Sequence, residues 1–340
     1  MRVWLPAIRA GSGSDVYVER LAALLKSAGV QPLVQWFPRH FELWPSLLSG
    51  IRAPEDVDVV HASSWHAFAL ARKHIPLVAT FYHCVRGRGY PLWKSWLQSV
   101  YHDHWIGGFE ERSLSKASAV VAISESTARE VGAEFGIHGI DVIDAWLDST
   151  LFVPAERRRA GAPRVLIVGN RSRRKGWDLL PAFRECLDRR IELHVVAGLR
   201  ATAKDGAYLD GRGIQFWSGL AEAELASLYQ ASDVVVSLSR YEGFGYTALE
   251  AMACAKPVVA FDVPGLRDVV VNGTTGMLLP CEDVGGVAAA CHELIESPAI
   301  AQKMGEAGHA RASRRFGAAL AREKYLALYA RVMSRAHGIE

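Results

Sequence analysis

Between Ser239 and Ala253 the chain reads SRYEGFGYTALEAMA, with Glu242 just before a Gly243-Phe244-Gly245 turn and Glu250 in the helix-forming residues that follow. A turn that opens into strong helix formers presents unpaired backbone N–H groups at a helix N-terminus, where the dipole is positive and anions bind. The two glycines let a ligand approach the main chain as no residue with a β-carbon would. Glu242, at the mouth of the turn, could accept hydrogen bonds from sugar hydroxyls or face a developing positive charge. Glu250 lies about a turn and a half into the helix, in reach of a more remote hydroxyl pair such as a ribose. The plainer reading makes Glu242 a partner of the helix dipole and Glu250 a solvated residue. Against it, Ala248, Leu249, Ala251, Met252 and Ala253 surround Glu250 with apolar side chains, where an unpaired carboxylate is costly.

A second cluster follows the apolar run RVLIVG: Asn170, Arg171, Ser172, Arg173, Arg174, Lys175, Gly176. Four cations in one short loop suit a diphosphate, which they would meet with charge-assisted hydrogen bonds. Such runs are more often solvated loops, but this one sits at the carboxyl end of a strand.

These loops need elements to hold them, and short apolar runs alternate with amphipathic stretches along most of the chain, the pattern of a parallel sheet flanked by helices. Candidate strands are Arg2 to Leu5, Val30 to Trp36, Val57 to His61, Leu77 to Thr80, Ala119 to Ile123 and Val142 to Ile143. A second series runs Arg164 to Val168, Glu192 to Ala197, Ile214 to Trp217, Val234 to Leu238 and Pro257 to Phe261. The polar, basic LDSTLFVPAERRRAGAP between them reads as a linker. The expectation is an α/β protein of two Rossmann-like domains, 1–155 and 164–310, with parallel sheets facing across a cleft, and a helical segment 311–340 packing back toward the first. From about Ala310 to His337 the spacing predicts one amphipathic helix covering a core face. Ligands of such sheets bind beyond the carboxyl ends of the strands.

EGFGYTALE, with its two glutamates bracketing the turn, resembles the signature of retaining, nucleotide-sugar-dependent glycosyltransferases of the GT-B fold, particularly glycosyltransferase family four. The likeness runs through VVVSLSRYEGFGYTALEAMACAKPVVAFDVPGLRDVVVNGTTGMLLP, and more weakly through VLIVGNRSRRKGWDLLPAF and most of the chain. It implies transfer of a sugar from a nucleotide-diphosphate donor, UDP- or GDP-linked, to an acceptor hydroxyl. The family has an arginine directly after Gly169 and a lysine before the next glycine; Asn170 and then Arg171 stand at the first place and Lys175 at the second. The resemblance gives Arg171 and Lys175 to the departing phosphate, Glu242 and the amides of Gly243, Phe244 and Gly245 to the sugar, and Glu250 to the ribose. It sets Gly198, Arg200 and Leu220 beside the base. Gly11 and Gly13, in GSGSD after the first strand, fall near the donor phosphates, and His83 orients the sugar, with Tyr82 a rival for that place. Ala255 replaces a usual glycine.

In VRGRGYPLWKSWLQSVYHDHWIGGF, cations interleave with aromatics, and Arg86, Arg88 and Trp93 are acceptor-side candidates. The pattern suits an acceptor sugar or an anionic lipid surface, although an aromatic stripe is more often core. The acceptor expected is a glycan, glycolipid or small molecule, with a cell-envelope glycan following the family's habits. No cofactor beyond the donor is expected. Nor is a metal, since DVD at Asp56 to Asp58 precedes a strand and HDH at Asp103 lacks partners at ligand spacing.

A net charge of +3, from 39 basic and 36 acidic residues, argues against a dedicated nucleic-acid binder. Five cysteines without C-x-x-C spacing read as free thiols in a reducing cytosol, and no signal-peptide plan or membrane-spanning run is evident, so the expected place is the cytoplasm or the inner face of its membrane. A sugar-nucleotide epimerase of the same fold and a non-catalytic nucleotide-sugar binding subunit are the rival readings.

Overall fold

The computed structural model describes residues 1–87, 105–147, 150–155, 161–198, 206, 213–336 and 338. They form two compact units, residues 1–145 with 319–340 and residues 146–318. Each is built on a six-stranded parallel sheet, as the alternating pattern predicts.

In the first unit the elements run β1 (Arg2–Ile8), α1 (Gly13–Ser27), β2 (Gln31–Phe37), β3 (Val59–Ser63), α2 (Ala67–Leu70), β4 (Leu77–Phe81), α3 (Gly107–Leu114), β5 (Ala119–Ala122), α4 (Glu125–Phe135) and β6 (Asp141–Val142). The sheet order is β2-β1-β3-β4-β5-β6. β1, β3 and β4 are almost wholly buried, which is why they read as near-continuous apolar runs. α4 begins where the Ser124 hydroxyl accepts the Thr127 N–H at 3.0 Å and ends on Gly136 at φ 63°.

The second unit runs β7 (Arg164–Gly169), α5 (Leu180–Cys186), β8 (Glu192–Ala197), β9 (Ile214–Trp217), α6 (Glu222–Ala231), β10 (Val234–Ser237), α7 (Tyr246–Ala253), β11 (Val258–Phe261), α8 (Leu266–Val269), β12 (Gly276–Leu279), α9 (Val284–Glu296) and α10 (Pro298–Arg315). Its sheet order is β12-β11-β10-β7-β8-β9. β12 is an edge strand outside the two predicted series, its four residues mostly half-buried.

Two expectations are corrected. The single terminal helix is two: α10 stops at Phe316, whose buried ring packs 5.5 Å from Phe244, and α11 (Ala318–Ala336) starts afresh after Gly317. α11 belongs to the first unit. There Tyr325 hydrogen-bonds Tyr17, and Tyr329 shares a 2.6 Å hydrogen bond with His61 Nδ1, whose Nε2 pairs with Thr80 at 2.6 Å. The described part of the segment read as a linker is packed rather than free. Leu147 donates to the Phe316 carbonyl at 3.0 Å, and buried Phe152 meets the Tyr229 ring at 5.8 Å, so the few apolar residues outweigh the polar run around them.

α7 closes in a Schellman motif. The Ala255 N–H donates to Met252 O and the Lys256 N–H to Ala251 O, both at 2.9 Å, and Ala255 takes φ 55°. That left-handed conformation costs an alanine about 1 kcal/mol. Ala255→Gly is expected to stabilise the protein by about 0.5–1 kcal/mol, offset in part by the freedom glycine adds to the unfolded chain; an unchanged or lower unfolding midpoint in denaturant would refute this.

Glu110 of α3 is fully buried and accepts from Ser64 Oγ at 3.1 Å. Burial pushes its carboxyl up to about 8, against the pull of the Ser64 and Trp65 hydrogen bonds and of Arg86. A carboxyl raised on folding lends stability at low pH that fades as pH climbs from its unfolded value toward 8. Buried His61 and His66, lowered to about 3 and about 4 by burial, act in the opposite sense below neutrality. The difference between wild type and Glu110→Gln isolates the carboxyl: thermal melts should show the variant gaining relative stability between pH 5 and 8, and parallel profiles would contradict it.

Candidate active site

The chain order of unit 2 fixes where a ligand can enter. After β7 it builds outward through β8 and β9, then returns to the other side of β7 with β10, β11 and β12. The loops after β7 and β10 therefore leave the sheet in opposite directions and open a crevice at their carboxyl ends, the switch point where doubly wound sheets bind ligands. The two clusters that the sequence singles out stand on these two loops.

Glycine lets the loops close. Gly176 sits at φ 72°, and a β-carbon there would lie 2.2 Å from the Leu238 carbonyl oxygen. Ser172 caps the intervening 3-10 turn, Arg173–Lys175, accepting the Lys175 N–H at 3.3 Å. Across the crevice, Lys175 Nζ donates to Glu242 Oε1, and Arg174 lies 3.5 Å from Glu242 Oε2 while donating to the Tyr241 carbonyl at 2.8 Å. The side chains of Lys175 and Glu242 are 16% and 11% exposed. Burial pushes the Glu242 carboxyl up, but the Lys175 ammonium and the Arg174 guanidinium outweigh it and hold the group below its ordinary value. Burial lowers Lys175, with Glu242 opposing the shift.

Gly245 caps α7 at φ 108°, and Gly265 backs the turn so closely that a β-carbon would sit 2.5 Å from the Glu242 carbonyl oxygen. The first turn of α7 contains no acid, so its dipole faces the crevice. Glu250 is buried, not solvated, and accepts the Tyr229 hydroxyl at 2.9 Å. Gly169 carries the aliphatic stem of Lys175, 3.7 Å from where a β-carbon would be. At Gly198 a β-carbon would fall 1.7 Å from Asn170 Oδ1, so the Asn170 amide occupies the space a side chain would need. Arg171 is exposed and Leu220 half-buried. Gly243 and Phe244 complete the turn, Phe244 buried against Tyr246 at 5.4 Å. Arg200 lies outside the described residues.

In unit 1, Gly11 takes φ 63° and Gly13 opens α1. Asp15, in its first turn, reaches back to accept the Ala10 and Gly11 N–H groups at 3.0 and 2.7 Å. Tyr82 and His83 both follow β4; Tyr82 packs edge-on to Tyr17 at 5.0 Å, and His83 meets Trp65 at 6.0 Å. Arg86 pairs with Glu111 at 3.1 Å and Glu134 at 2.9 Å, tying α3 to α4. Arg88, Trp93 and Asp103 lie outside the described residues. Asp58 accepts the Arg2 N–H at 2.6 Å. Among the described residues, no group of three or more His, Cys, Asp or Glu is placed to hold a metal ion. None of their helices is long and apolar enough to cross a membrane.

Sequence reasoning passed over Asp15 and Arg240. A buried arginine inside the SRYEGFG loop was legible as a cation in an apolar setting, but its partners Asp178 and Glu282 are distant in sequence.

The family model described as Glycosyl transferases group 1 matches residues 149–311, and that of Glycosyltransferase Family 4 matches residues 27–151. D-inositol 3-phosphate glycosyltransferase 1 of Catenulispora acidiphila is 30% identical over 319 residues, which cover 82% of this chain and 73% of that protein. The chain belongs to the group 1 glycosyltransferases. Glycogen synthase of Mycobacterium tuberculosis is another relative, 30% identical over 282 residues or 75% of this chain, and the chain spans 64% of its length. Sucrose-phosphate synthase from Thermosynechococcus elongatus superposes with a TM-score of 0.86 at 21% identity, covering 98% of this chain and 100% of that one. Anabaena HepE, solved in complex with UDP and glucose, superposes with a TM-score of 0.75 at 18% identity, covering 97% and 100%. The group 1 family member thus has the GT-B fold that its motifs imply.

Glu242 is the counter-ion of Lys175, so an anion that bound Lys175 would compete with it. Glu242→Gln should therefore tighten binding of inorganic pyrophosphate, by about 1 kcal/mol or severalfold in Kd, when measured by calorimetry. Weaker binding by the variant would mean that the carboxylate supports the anion site instead of competing for it.

Proposed function

We propose that this protein is a metal-independent, retaining hexosyltransferase that moves a sugar from a UDP- or GDP-linked donor to the hydroxyl of a glycan, glycolipid or small-molecule acceptor. The observation that carries the reading is the meeting of Lys175 with Glu242 at the β7–β10 switch point, beside the N-terminus of α7. In the reaction, the bond between the sugar's anomeric carbon and the terminal phosphate oxygen breaks, a bond to the acceptor oxygen forms, and the acceptor hydroxyl's proton passes to the departing diphosphate. Negative charge grows on the diphosphate. Lys175, released from Glu242, meets that charge together with Arg171 and the positive end of α7, which lowers the barrier. They supply the neutralisation that a metal ion provides elsewhere.

Glu242, once displaced from Lys175, has its two oxygens for the sugar's hydroxyls beside the amides of Gly243 to Gly245. Glu250 has one oxygen on Tyr229 and serves the ribose with the other. The family resemblance assigns Gly198, Arg200 and Leu220 to the base. His83 or Tyr82 on the sugar, and Gly11 and Gly13 near the phosphates, follow from the family resemblance alone. The UDP and glucose in the HepE structure support a nucleotide sugar as donor.

The test is a panel of UDP- and GDP-sugars, screened first by thermal shift, because a ligand bound only by the native state raises its stability, and then by proton NMR of the product. One donor should raise the unfolding midpoint and be transferred with its anomeric configuration retained, in the presence of EDTA as in its absence. Lys175→Ala should reduce kcat by about a hundredfold or more. Inverted product, loss of activity in EDTA with recovery on adding Mg²⁺, or conversion of the donor alone to an isomeric nucleotide sugar would overturn the proposal.

A further inference from the structure

Arg240 is the least exposed cation of the crevice region, its side chain 3% accessible, and it does not point at the ligand side. Its guanidinium instead gathers three loops. Toward the loop after β7 it donates to Asp178 Oδ1 and Oδ2 at 2.6 and 2.9 Å and to the Arg173 carbonyl. Toward the loop after β12 it donates to both oxygens of Glu282, one of them at 3.2 Å. Its own N–H donates to the Arg174 carbonyl at 2.8 Å. These contacts hold both faces of the Lys175–Glu242 pair: Arg173, Arg174 and Asp178 flank Lys175, and Arg240 is two residues before Glu242.

The geometry of Glu282 points the same way. It stands at φ 74°, a left-handed conformation that a glutamate adopts only at a cost, directly before Asp283, whose carboxylate caps α9 by accepting the Gly286 N–H at 2.8 Å. The strained turn between β12 and α9 is what carries the Glu282 carboxylate to Arg240. Asp178 and Glu282 are 38% and 43% exposed, so the pairs add little as attraction alone; what the buried planar guanidinium gains on two carboxylates and a carbonyl is a fixed direction as well as distance.

We propose that Arg240 is a positioning residue for the donor site: without touching the donor, it sets the separation of Lys175 and Glu242 by locking the loops after β7, β10 and β12 to one another, an assignment that rests on the donor-site reading of this crevice. Lysine cannot replace it, because one ammonium cannot span Asp178, Glu282 and the Arg173 carbonyl with fixed angles.

UDP and GDP are the probes, with Kd measured by calorimetry for wild type, Arg240→Lys, Glu282→Gln, Lys175→Ala and the Arg240→Lys/Lys175→Ala double variant, alongside each protein's unfolding midpoint. Arg240→Lys should weaken binding of the nucleotide about tenfold, with a smaller loss for Glu282→Gln, which keeps the Asp178 arm. In the Lys175→Ala background the lysine substitution should have little further effect, because Arg240 acts through the group already removed. If Arg240 only stabilises the fold, its loss lowers the midpoint while affinity is unchanged or falls equally in both backgrounds; either result overturns the proposal. Should Arg240→Lys fail to fold, Glu282→Gln decides alone: a folded variant with wild-type affinity overturns it. Wild type that binds neither nucleotide would instead refute the donor-site reading, an outcome separate from any difference between variants.

Discussion

The carboxyl end of the second sheet depends on keeping one carboxylate charged where little water reaches it. Glu242 stays ionised because an ammonium and a guanidinium sit against it. Those cations can do so only because the loop that bears them crosses the loop that bears the acid. A buried pair of this kind is poor evidence of stability, since desolvation consumes most of the Coulomb attraction, and losing either member leaves a stranded charge. On the proposed reading its use is as a poised site, with three charges already close together that can exchange one counter-ion for another.

Backbone crowding is the second constraint. Gly176 against Leu238, Gly265 against Glu242 and Gly198 against Asn170 are places where one added carbon would push the crevice walls apart. At Ala255, by contrast, only the dihedral is unfavourable, and an alanine is tolerated at the end of α7. The glycines of the motif thus divide into those that space loops and those that merely ease a turn.

Much of this was legible in the sequence, for particular reasons. The inner strands β1, β3, β4, β8, β10 and β11 stand out as short, mostly apolar runs because both their faces are buried, while the edge strands β2, β6 and β9 are singled out despite being half-exposed and β12, an edge strand too, is not. Glu242, Lys175 and Glu250 could be found because they lie in a compact motif, and the apolar neighbours of Glu250 correctly announced its burial. The partner that burial required, Tyr229, could not be named, since it stands on another helix. Arg240, Asp178 and Glu282 were hidden for the same reason: charges that meet across three loops have no spacing in the chain. Asp15 escaped notice because it ties the loop before α1 through a contact with its own backbone, which residue type alone does not announce. The break at Phe316 escaped notice because helical spacing of apolar residues continues through it.

That break has a consequence for modularity. Because α11 returns to the first sheet and supplies Tyr325 and Tyr329 to its core, residues 146–318 are, in connectivity, an insertion between β6 and the last helix of the other unit. A second unit exchanged between relatives by joining chains at a single point near residue 146 would carry away the helix that completes the first unit, leaving Tyr17 and His61 without their α11 partners. Recombination in this architecture has to cut twice, so the two halves are inherited as host and guest rather than as head and tail.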